Sequence, residues 1–456
     1  MLLVGVVAAA VPPARYARYD EVEPILTEAA ATLPLGAATR SSLLSAALWN
    51  TWIASRDSEI RGRLAQGDED TIINWLLFGT SFTTAPRVVL DTAKMTEDNA
   101  VRRVATLIGL RTDDVLRALV SPGADERRRF ARRFLEGNGF SFGTAAGLRE
   151  VRDHLLTAIE RVAREQVDQS DELGAAGTGD AVTDFERRSR LFRSRGLSLD
   201  TSLAPNFALE QSLAAMKARG LVSAGAVTRV AIIGAGLDFA DKDGGFDFYP
   251  QQTVQPFAVL DSLRRLGLAP ADGNAEIVAL DISPRVIDHI TRARQRAAAG
   301  NSYTLRLPLP RDRGWLPDFT AYWKTFGSRI GTVAPASVTT AIAGQADVRA
   351  VRLSPATVQR VSVVDLNAIT QRLDGQRFDL VIATNVLVYY DALDQAIAMS
   401  NVDAMLSSDG FLLSNTQLPV TGASSMELVD SLTTLYTGDR KGDRILWYRR
   451  KAGPLR

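Results

Sequence analysis

The second half of the chain alternates short apolar runs with amphipathic stretches, and this alternation limits the folds open to it. Patterns such as "VQPFAVLDSLRRLGL" and "LDQAIAMSNVDAMLSS" predict helices between the apolar runs. Six apolar runs are predicted to be strands: "RVAIIGAG" (229–236), "EIVALDIS" (276–283), "VQRVSVVDLN" (358–367), "FDLVIATNVLVYY" (378–390), "GFLLSNT" (410–416) and "DRILWYRRK" (443–451). Fully apolar strands alternating with helices indicate an α/β, Rossmann-like fold, with a mostly parallel sheet covered by helices on both faces.

The first part of the chain follows a helical pattern instead. "DTIINWLLFGTSF" predicts a helix that is capped at Asp70 and stops near Gly79, and "LREVRDHLLTAIERVAREQ" predicts an exposed amphipathic helix. In "SSLLSAALWNTWIAS", apolar residues recur every three or four positions, as on one face of a helix: Leu43, Leu44, Ala47, Leu48 and Trp52. We therefore predict an α-helical accessory domain over 19–169.

The remaining boundaries follow from changes in composition. The small and acidic residues of "SDELGAAGTGDA" predict a linker over 170–184. The α/β domain then covers 185–456, with an insertion at 302–357. The apolar segment 1–18 is interpreted as the remnant of a leader, with small residues near its end as the cleavage region, or alternatively as a first buried strand or helix.

Composition and charge exclude several kinds of chemistry. The chain has no cysteine and only two histidines, His154 and His289, which disfavours a metal cage and a Ser-His-Asp triad. The net charge of +1 gives no field that attracts nucleic acid, and we interpret the basic run 127–133 as a solvated helix face. The apolar N-terminus is too short for a stable membrane span. We expect a bound cofactor to carry the chemistry.

Two glycines follow the first predicted strand, in "VAIIGAGLDFADK". Gly234 and Gly236 allow a tight turn and a close approach of the backbone to a ligand. A dinucleotide fingerprint requires a third glycine at the position that Phe239 occupies here. The pattern therefore disfavours a nicotinamide dinucleotide, although the two glycines also suit a purely structural turn.

Polar residues end the next three predicted strands. Asp281 ends the second strand, where a carboxylate can accept hydrogen bonds from both ribose hydroxyls of a nucleoside. The alternative for Asp281 is a cap on the helix that begins near Pro284. The third strand ends in Asp365 and Asn367, and the fourth presents Asn385. Because carboxyl ends of parallel strands share one edge of the sheet, we expect these side chains over one crevice.

Residues 185–456 resemble the class I S-adenosylmethionine-dependent methyltransferases. Within them, 378–415 resembles the chemotaxis-receptor glutamate methyltransferases, through the run "TNVLVYY" and the turn "SDG". The resemblance implies that the glycine turn lines the methionine part of S-adenosyl-L-methionine. It implies further that Asp281 binds the ribose, and that Asp365 with Leu366 binds the adenine. The implied cofactor-binding positions are Gly234, Ala235, Gly236, Asp238, Asp281, Ile282, Asp365, Leu366, Asn385 and Val386, with Asn385 and Tyr389 on the acceptor side.

The glycine turn departs from the family pattern at two positions. Ile232 stands where the family has an acid, and Asp238 replaces a third glycine. We interpret Asp238 either as a replacement contact to the ammonium group of the cofactor or as a cap of the turn.

Three further segments are candidate walls of the site. The stretch 241–257 is predicted to be a lid or a substrate wall. The loop with Arg195, Asp200 and Asn206 either closes over the cofactor or is held by an internal ion pair. The aromatic-rich stretch 303–331 builds the acceptor pocket or packs as a small core of its own.

We therefore predict an S-adenosylmethionine-dependent methyltransferase whose acceptor is unknown, either a small molecule or a protein carboxylate. The alternatives are a catalytically silent cofactor-binding regulatory module, an NAD(P)-dependent oxidoreductase, and a purely structural or interaction role in which the helical domain dominates. Because S-adenosylmethionine is a cytosolic metabolite, we predict a cytoplasmic protein, with export as the minority alternative. The oligomeric state cannot be predicted from this sequence.

Overall fold

The computed structural model describes residues 13–33, 40, 41, 43, 45–88, 98–175, 196, 197, 199, 201–241, 244–336, 344–419 and 423–451. Its α-helices are α1 (Tyr19–Thr32), α2 (Ala46–Phe78), α3 (Asp98–Val120), α4 (Glu126–Gly137), α5 (Ala145–Ala175), α6 (Ala204–Ala218), α7 (Gln255–Arg265), α8 (Pro284–Ala298), α9 (Pro317–Thr325), α10 (Pro355–Gln359) and α11 (Ala392–Met405). Its strands are β1 (Ala14–Tyr16), β2 (Arg229–Ile233), β3 (Glu276–Asp281), β4 (Tyr303–Pro310), β5 (Gly331–Ala334), β6 (Ala346–Leu353), β7 (Val361–Asp365), β8 (Gln371–Leu373), β9 (Phe378–Ala383), β10 (Leu406–Ser414), β11 (Met426–Leu435) and β12 (Gly442–Arg450).

A seven-stranded sheet organises the second half of the chain, in the order β11-β12-β10-β9-β2-β3-β7. The five strands from β10 to β7 are parallel, and β12 lies antiparallel between β10 and β11. The chain moves outward from β2 to β3 and β7, and then returns to the other side of β2 with β9. This reversal leaves a crevice at the carboxyl ends of β2 and β9, where such sheets bind ligands. The predicted α/β fold is confirmed.

All six predicted strands lie in this sheet, and β11 is the strand that the sequence did not reveal. β11 is an edge strand paired only with β12 among the described strands, and most of its side chains are exposed or half-buried. An edge strand with a polar face lacks the continuous apolar run that identifies a central parallel strand.

The predicted insertion 302–357 forms a separate antiparallel sheet in the order β4-β6-β5, together with α9. Its aromatic side chains do not form an isolated core, because they pack into the main one. Phe319 and Tyr322 are buried, with ring centroids 5.6 and 5.3 Å from that of Phe207 on α6. These side chains hold the insertion on the α/β core.

Helices α2 to α5 form most of the N-terminal helical region, which buries a cluster around Trp75, Leu119 and Leu155. Helix α2 is continuous for 33 residues, so the prediction of a helix start at Asp70 is wrong. The Asp70 carboxylate does not cap a helix, because it pairs with Arg161 on α5 at 2.5 Å. The predicted stop at Gly79 is confirmed. Leu44 lies outside the described residues.

Two other predictions for this region need correction. Helix α5 continues through Ala175, well into the predicted linker 170–184, and residues 176–184 lie outside the described part of the chain. Arg127 is not on a solvated face, since only 3% of it is exposed. Its guanidinium lies over the rings of Phe239 and Tyr249 and donates to both of their carbonyls. The other four arginines of the run are half-buried or exposed.

The described part of segment 1–18 is built into the fold. Strand β1 pairs antiparallel with β8, and Ala17 is buried and donates its N–H to the Thr370 carbonyl at 3.0 Å. The leader interpretation concerns residues that lie mainly outside the described ones and stays a prediction. Among the described helices, none is both long and apolar enough to cross a bilayer.

Two glycines on α2 give a matched test of how the helical region meets the segment before α6. Gly62 has open space around it, whereas a Cβ at Gly67 would lie 2.0 Å from the Leu197 carbonyl oxygen. We expect Gly62→Ala to raise the free energy of unfolding by about 1 kcal/mol, because alanine favours helices. Gly67→Ala should lower it by about 1–3 kcal/mol, since backbone must move aside. Urea unfolding of both variants measures the difference, and equal effects would contradict the packing described.

Candidate functional site

A cavity of about 280 Å³ lies at the carboxyl ends of the parallel strands, beside the reversal point of the sheet. Segments that follow four neighbouring strands line it: 233–236 after β2, 281–282 after β3, 366–369 after β7 and 384–390 after β9. Its volume is close to the lower end of the range typical of small-molecule sites. Of the polar residues predicted to meet over this crevice, Asp281, Asn367 and Asn385 line the cavity, whereas Asp365 does not.

The turn after β2 adopts a backbone conformation that requires its two glycines. Gly234 and Gly236 have φ angles of 69° and 70°, which other residues rarely adopt. A Cβ at Gly234 would lie 2.5 Å from Val386 Cγ2, and one at Gly236 would lie 2.2 Å from Thr201 Cγ2. Both glycines line the cavity, while Ala235 is fully buried and does not. Because the two glycines have no side chains, Val386 and Thr201 can pack directly against the backbone of the turn.

Asp281 lies at the wall of the cavity with only 4% of its surface exposed. Its Oδ1 accepts the Ser283 N–H at 2.9 Å, and its Oδ2 faces the Gly236 N–H at 3.5 Å. Burial raises its pKa to about 6, despite these donors. The helix-cap alternative is not observed, because Ser283 is itself the N-cap of α8 and this helix has no side-chain cap hydrogen bond. The bond to the Ser283 N–H belongs to the turn before the helix, and the carboxylate lines the cavity. The adjoining Ile282 lines it as well.

Asp365 does not take the place predicted for it. It is the register partner of Asp281, but its side chain is 58% exposed and pairs with Arg61 Nη1 at 2.8 Å. The physical reason is that β7 is the edge strand of the sheet, so Asp365 can lean outward to a cation on α2. Leu366 and Asn367 line the cavity instead.

Asp238 also lies outside the residues that line this cavity. Its Oδ2 accepts hydrogen bonds from Tyr249 Oη and Gln252 Nε2, both at 3.0 Å, and the residue is 6% exposed. The carboxylate therefore joins the turn to the stretch 241–257, much of which is buried. The predicted contact between Asp238 and the cofactor is not supported by this geometry. The predicted lid is a packed wall behind the site, apart from Gln255, which lines the cavity.

The segment after β9 contributes the opposite wall. Asn385 has a φ of 59°, and its backbone N–H and side-chain oxygen both bond the Asn415 amide, at 2.8 and 2.6 Å. Val386 packs on Gly234, and half-buried Tyr389 also lines the cavity. Asn385, Val386 and Tyr389 are therefore brought to the same edge as Asp281.

Helix α2 forms part of the site, which the sequence did not indicate. Leu64 lines the cavity, and Arg63 donates to the Tyr389 carbonyl at 2.9 Å. Asp57 accepts from Asn367 Nδ2 at 2.8 Å and from Thr370 Oγ1 at 3.1 Å. No local sequence signal links α2 to loops that follow it by more than 300 residues.

The loop before α6 supplies a further wall. Leu199 accepts the Leu237 N–H at 2.9 Å, which fastens this loop to the glycine turn. Leu199, Thr201 and Asn206 line the cavity. Of the loop residues singled out in the sequence, Asn206 is thus at the site, whereas Arg195 and Asp200 lie outside the described residues.

Neither histidine lines the cavity. His154 contacts Glu69 at 2.9 Å, and His289 contacts Tyr303 Oη at 2.8 Å, where burial lowers the pKa of the histidine to about 4. Among the described residues, no group of histidines and acids is arranged to hold a metal ion.

No protein-family model and no curated protein matches the chain by sequence. Solved structures with a similar fold include NodS, an N-methyltransferase from Bradyrhizobium japonicum WM9, at 14% identity and a TM-score of 0.27, over 53% of this chain and 96% of NodS. TrmN from Thermus thermophilus matches at 13% identity and a TM-score of 0.26, over 54% of this chain and about half (52%) of TrmN. Magnesium protoporphyrin IX methyltransferase (ChlM) from Synechocystis PCC 6803, solved with bound SAM, matches at 13% and 0.25, over 62% and 97%.

Proposed function

We propose that the cavity binds S-adenosylmethionine and that the protein transfers its methyl group to an acceptor. The observation that carries this proposal is the buried Asp281 carboxylate, which lines a cavity beside a glycine turn at the reversal point of the sheet. A nucleoside with two ribose hydroxyls matches such an acceptor.

The residues present fit the chemical groups of this cofactor. Asp281 would accept from the ribose hydroxyls, and the apolar Leu366 with Asn367 would contact the adenine. The turn at Gly236 would lie beside the methionine part, and Asn385 with Val386 would face the sulfonium and the acceptor. Asp365 and Asp238 have no role in this arrangement, because their carboxylates bind protein groups elsewhere.

S-adenosylmethionine, when bound, supplies a methyl group that is already activated on a sulfonium centre. The protein's contribution is then alignment and the exclusion of water, which need no histidine at the site. Leu64, Leu197 and Leu199 provide an apolar wall for this purpose. Tyr389 and Asn385 are the polar groups on the side that we assign to the acceptor.

The acceptor itself is proposed only by class. The resemblance of 378–415 to the chemotaxis-receptor methyltransferases favours a protein carboxylate, and a small molecule is the alternative. Transfer of labelled methyl from S-adenosylmethionine to fractions of a cell lysate distinguishes the two. Label confined to the small-molecule fraction would contradict the protein acceptor.

Calorimetry of the purified chain tests the cofactor proposal. We expect S-adenosylmethionine and S-adenosylhomocysteine to bind with micromolar Kd, and NAD⁺ and NADP⁺ not to bind. Binding of a dinucleotide alone would favour the oxidoreductase alternative. Absence of binding by all four ligands would contradict the proposal. Cofactor binding without methyl transfer to any lysate fraction would support the regulatory alternative.

A further inference from the structure

The first turn of α6 carries a buried amide whose two ends differ in their contacts. Asn206 lines the cavity with 3% of its surface exposed. Its Nδ2 donates to the Ser202 carbonyl at 3.1 Å. Because a carbonyl can only accept, this bond identifies the nitrogen end of the amide. The other end, Oδ1, is buried and has no hydrogen-bond partner among the described residues.

A buried acceptor without a donor is unfavourable, and native proteins almost always satisfy such groups. Asn206 belongs to the wall of a cavity, so a bound ligand can supply the missing donor. Thr201 Oγ1 on the same wall is also buried, and no described residue bonds it. Two unsatisfied oxygens on one wall point to a polar group of the ligand at this place.

The position of this wall indicates which polar group of the ligand lies beside it. Thr201 packs against Gly236, so the wall adjoins the turn after β2. The loop with Leu366 follows β7, which lies two strands away in the sheet. A ligand that extends from one loop to the other would place its end distal to the base beside Asn206.

The two positions at which the glycine turn departs from the family pattern supply no polar contact at this end. Ile232 is apolar and fully buried in the core, and Asp238 lies outside the cavity, where it accepts from Tyr249 and Gln252. Asn206 Oδ1 is a neutral acceptor that needs a donor, and the amino-acid end of S-adenosylmethionine carries one as its ammonium group.

We infer that Asn206 Oδ1 accepts a hydrogen bond from the ligand's ammonium group, and that Asn206 thereby selects ligands with an intact aminoalkyl end. This inference rests on the proposed function.

Calorimetry with three ligands tests the assignment, because they differ at this end only. S-adenosylhomocysteine has both the ammonium and the carboxylate, decarboxylated S-adenosylhomocysteine keeps the ammonium, and 5′-methylthioadenosine has neither; all three are neutral thioethers at sulfur. Asn206→Ala should weaken the first two by about ten- to a hundredfold, as expected for a hydrogen bond to a charged group. Binding of 5′-methylthioadenosine should change less than threefold.

Ser212→Ala is the matched control. Ser212 is on the same helix, and its buried hydroxyl also lacks a partner in the described part of the chain, but it does not line the cavity. This control should bind all three ligands as the parent protein does. Asn206→Ser keeps a shorter polar side chain at the start of the helix, and it should lose less affinity than Asn206→Ala. It also provides the measurement if the alanine variant does not fold.

The alternative outcomes are distinct. Equal losses for all three ligands would mean that Asn206 only maintains the shape of the cavity, and would overturn the inference. A loss for S-adenosylhomocysteine alone would assign Asn206 to the carboxylate, which would also overturn it. If the parent protein binds none of the three, the proposed function itself fails.

Discussion

Asp281→Ala is expected to weaken the binding of S-adenosylhomocysteine by about 1–3 kcal/mol, which is roughly five- to 150-fold in Kd. The carboxylate is the charged acceptor on the wall of the cavity, and no other described group there can replace it for two ribose hydroxyls. Calorimetry at pH 8 measures the loss. At that pH the wild-type carboxyl is ionised, because its pKa is about 6.

Asp365→Ala is the matched control, because Asp365 is the register partner of Asp281 on the next strand but faces Arg61. Its effect on Kd should be less than threefold. If Asp365→Ala raises the Kd more than Asp281→Ala does, the ribose and adenine contacts that we assign would be wrong.

The raised pKa of Asp281 also makes a pH dependence expected. As the pH falls below about 6, the carboxyl becomes protonated and the affinity for S-adenosylhomocysteine should fall. Stability responds in the opposite direction. The folded-state pKa is above the ordinary value of 3.8, so this group favours the folded state most at low pH and loses that contribution as the pH rises through 6. In Asp281→Asn, the pH dependence of the affinity and the pH dependence of the stability should both be reduced.

Arg56→Met is expected to lower the free energy of unfolding by about 3–5 kcal/mol, the usual cost of leaving a buried charge without its partner. Arg56 on α2 donates through Nε to Asp394 Oδ1 on α11 at 2.9 Å, and their side chains are 7% and 1% exposed. Asp391 lies 3.8 Å from the same guanidinium. Removal of the cation therefore leaves two buried carboxylates close together. Urea unfolding measures the change.

Glu59→Gln provides the control within the same network, because Glu59 contacts Arg56 at 2.6 Å but is 54% exposed. It should cost less than about 1 kcal/mol. The double variant Arg56→Met with Asp394→Leu should recover much of the loss, because it removes the buried pair together and leaves Asp391, which accepts the backbone N–H of residue 394, without a second carboxylate beside it. A double variant that is less stable than Arg56→Met would contradict this account.

The sequence predicts the central sheet well because buried parallel strands are continuously apolar. It predicts the ends of β2, β3 and β9 for the same reason, and Gly234, Gly236 and Asp281 do line the cavity. The orientation of a side chain beyond a strand end depends on partners that are distant in sequence. Asp365 turns toward Arg61, and Asp238 toward Tyr249 and Gln252, so strand position alone misplaced both.

The helical region illustrates a second limit. Local patterns identify its helices, but the long α2 contains two glycines and an aspartate that resemble helix boundaries. Its continuity depends on packing, as at Gly67 against Leu197, which only the folded chain provides. Asn206 was predictable only in part. The sequence indicated that its loop lies near the cofactor, whereas the unpaired side-chain oxygen is evident only from the hydrogen bonds around it.

Helix α2 is about 50 Å long at 1.5 Å per residue, and it touches both lips of the cavity, through Asp57 on one side and Arg63 on the other. Helix α2 therefore supports the loops on both sides of the cavity and is not confined to the helical region. A fragment limited to the α/β half would keep the strands but would lose the support of the loops at 367–370 and 389–390. The predicted boundary between the helical domain and the α/β domain therefore separates residues that meet at one cavity.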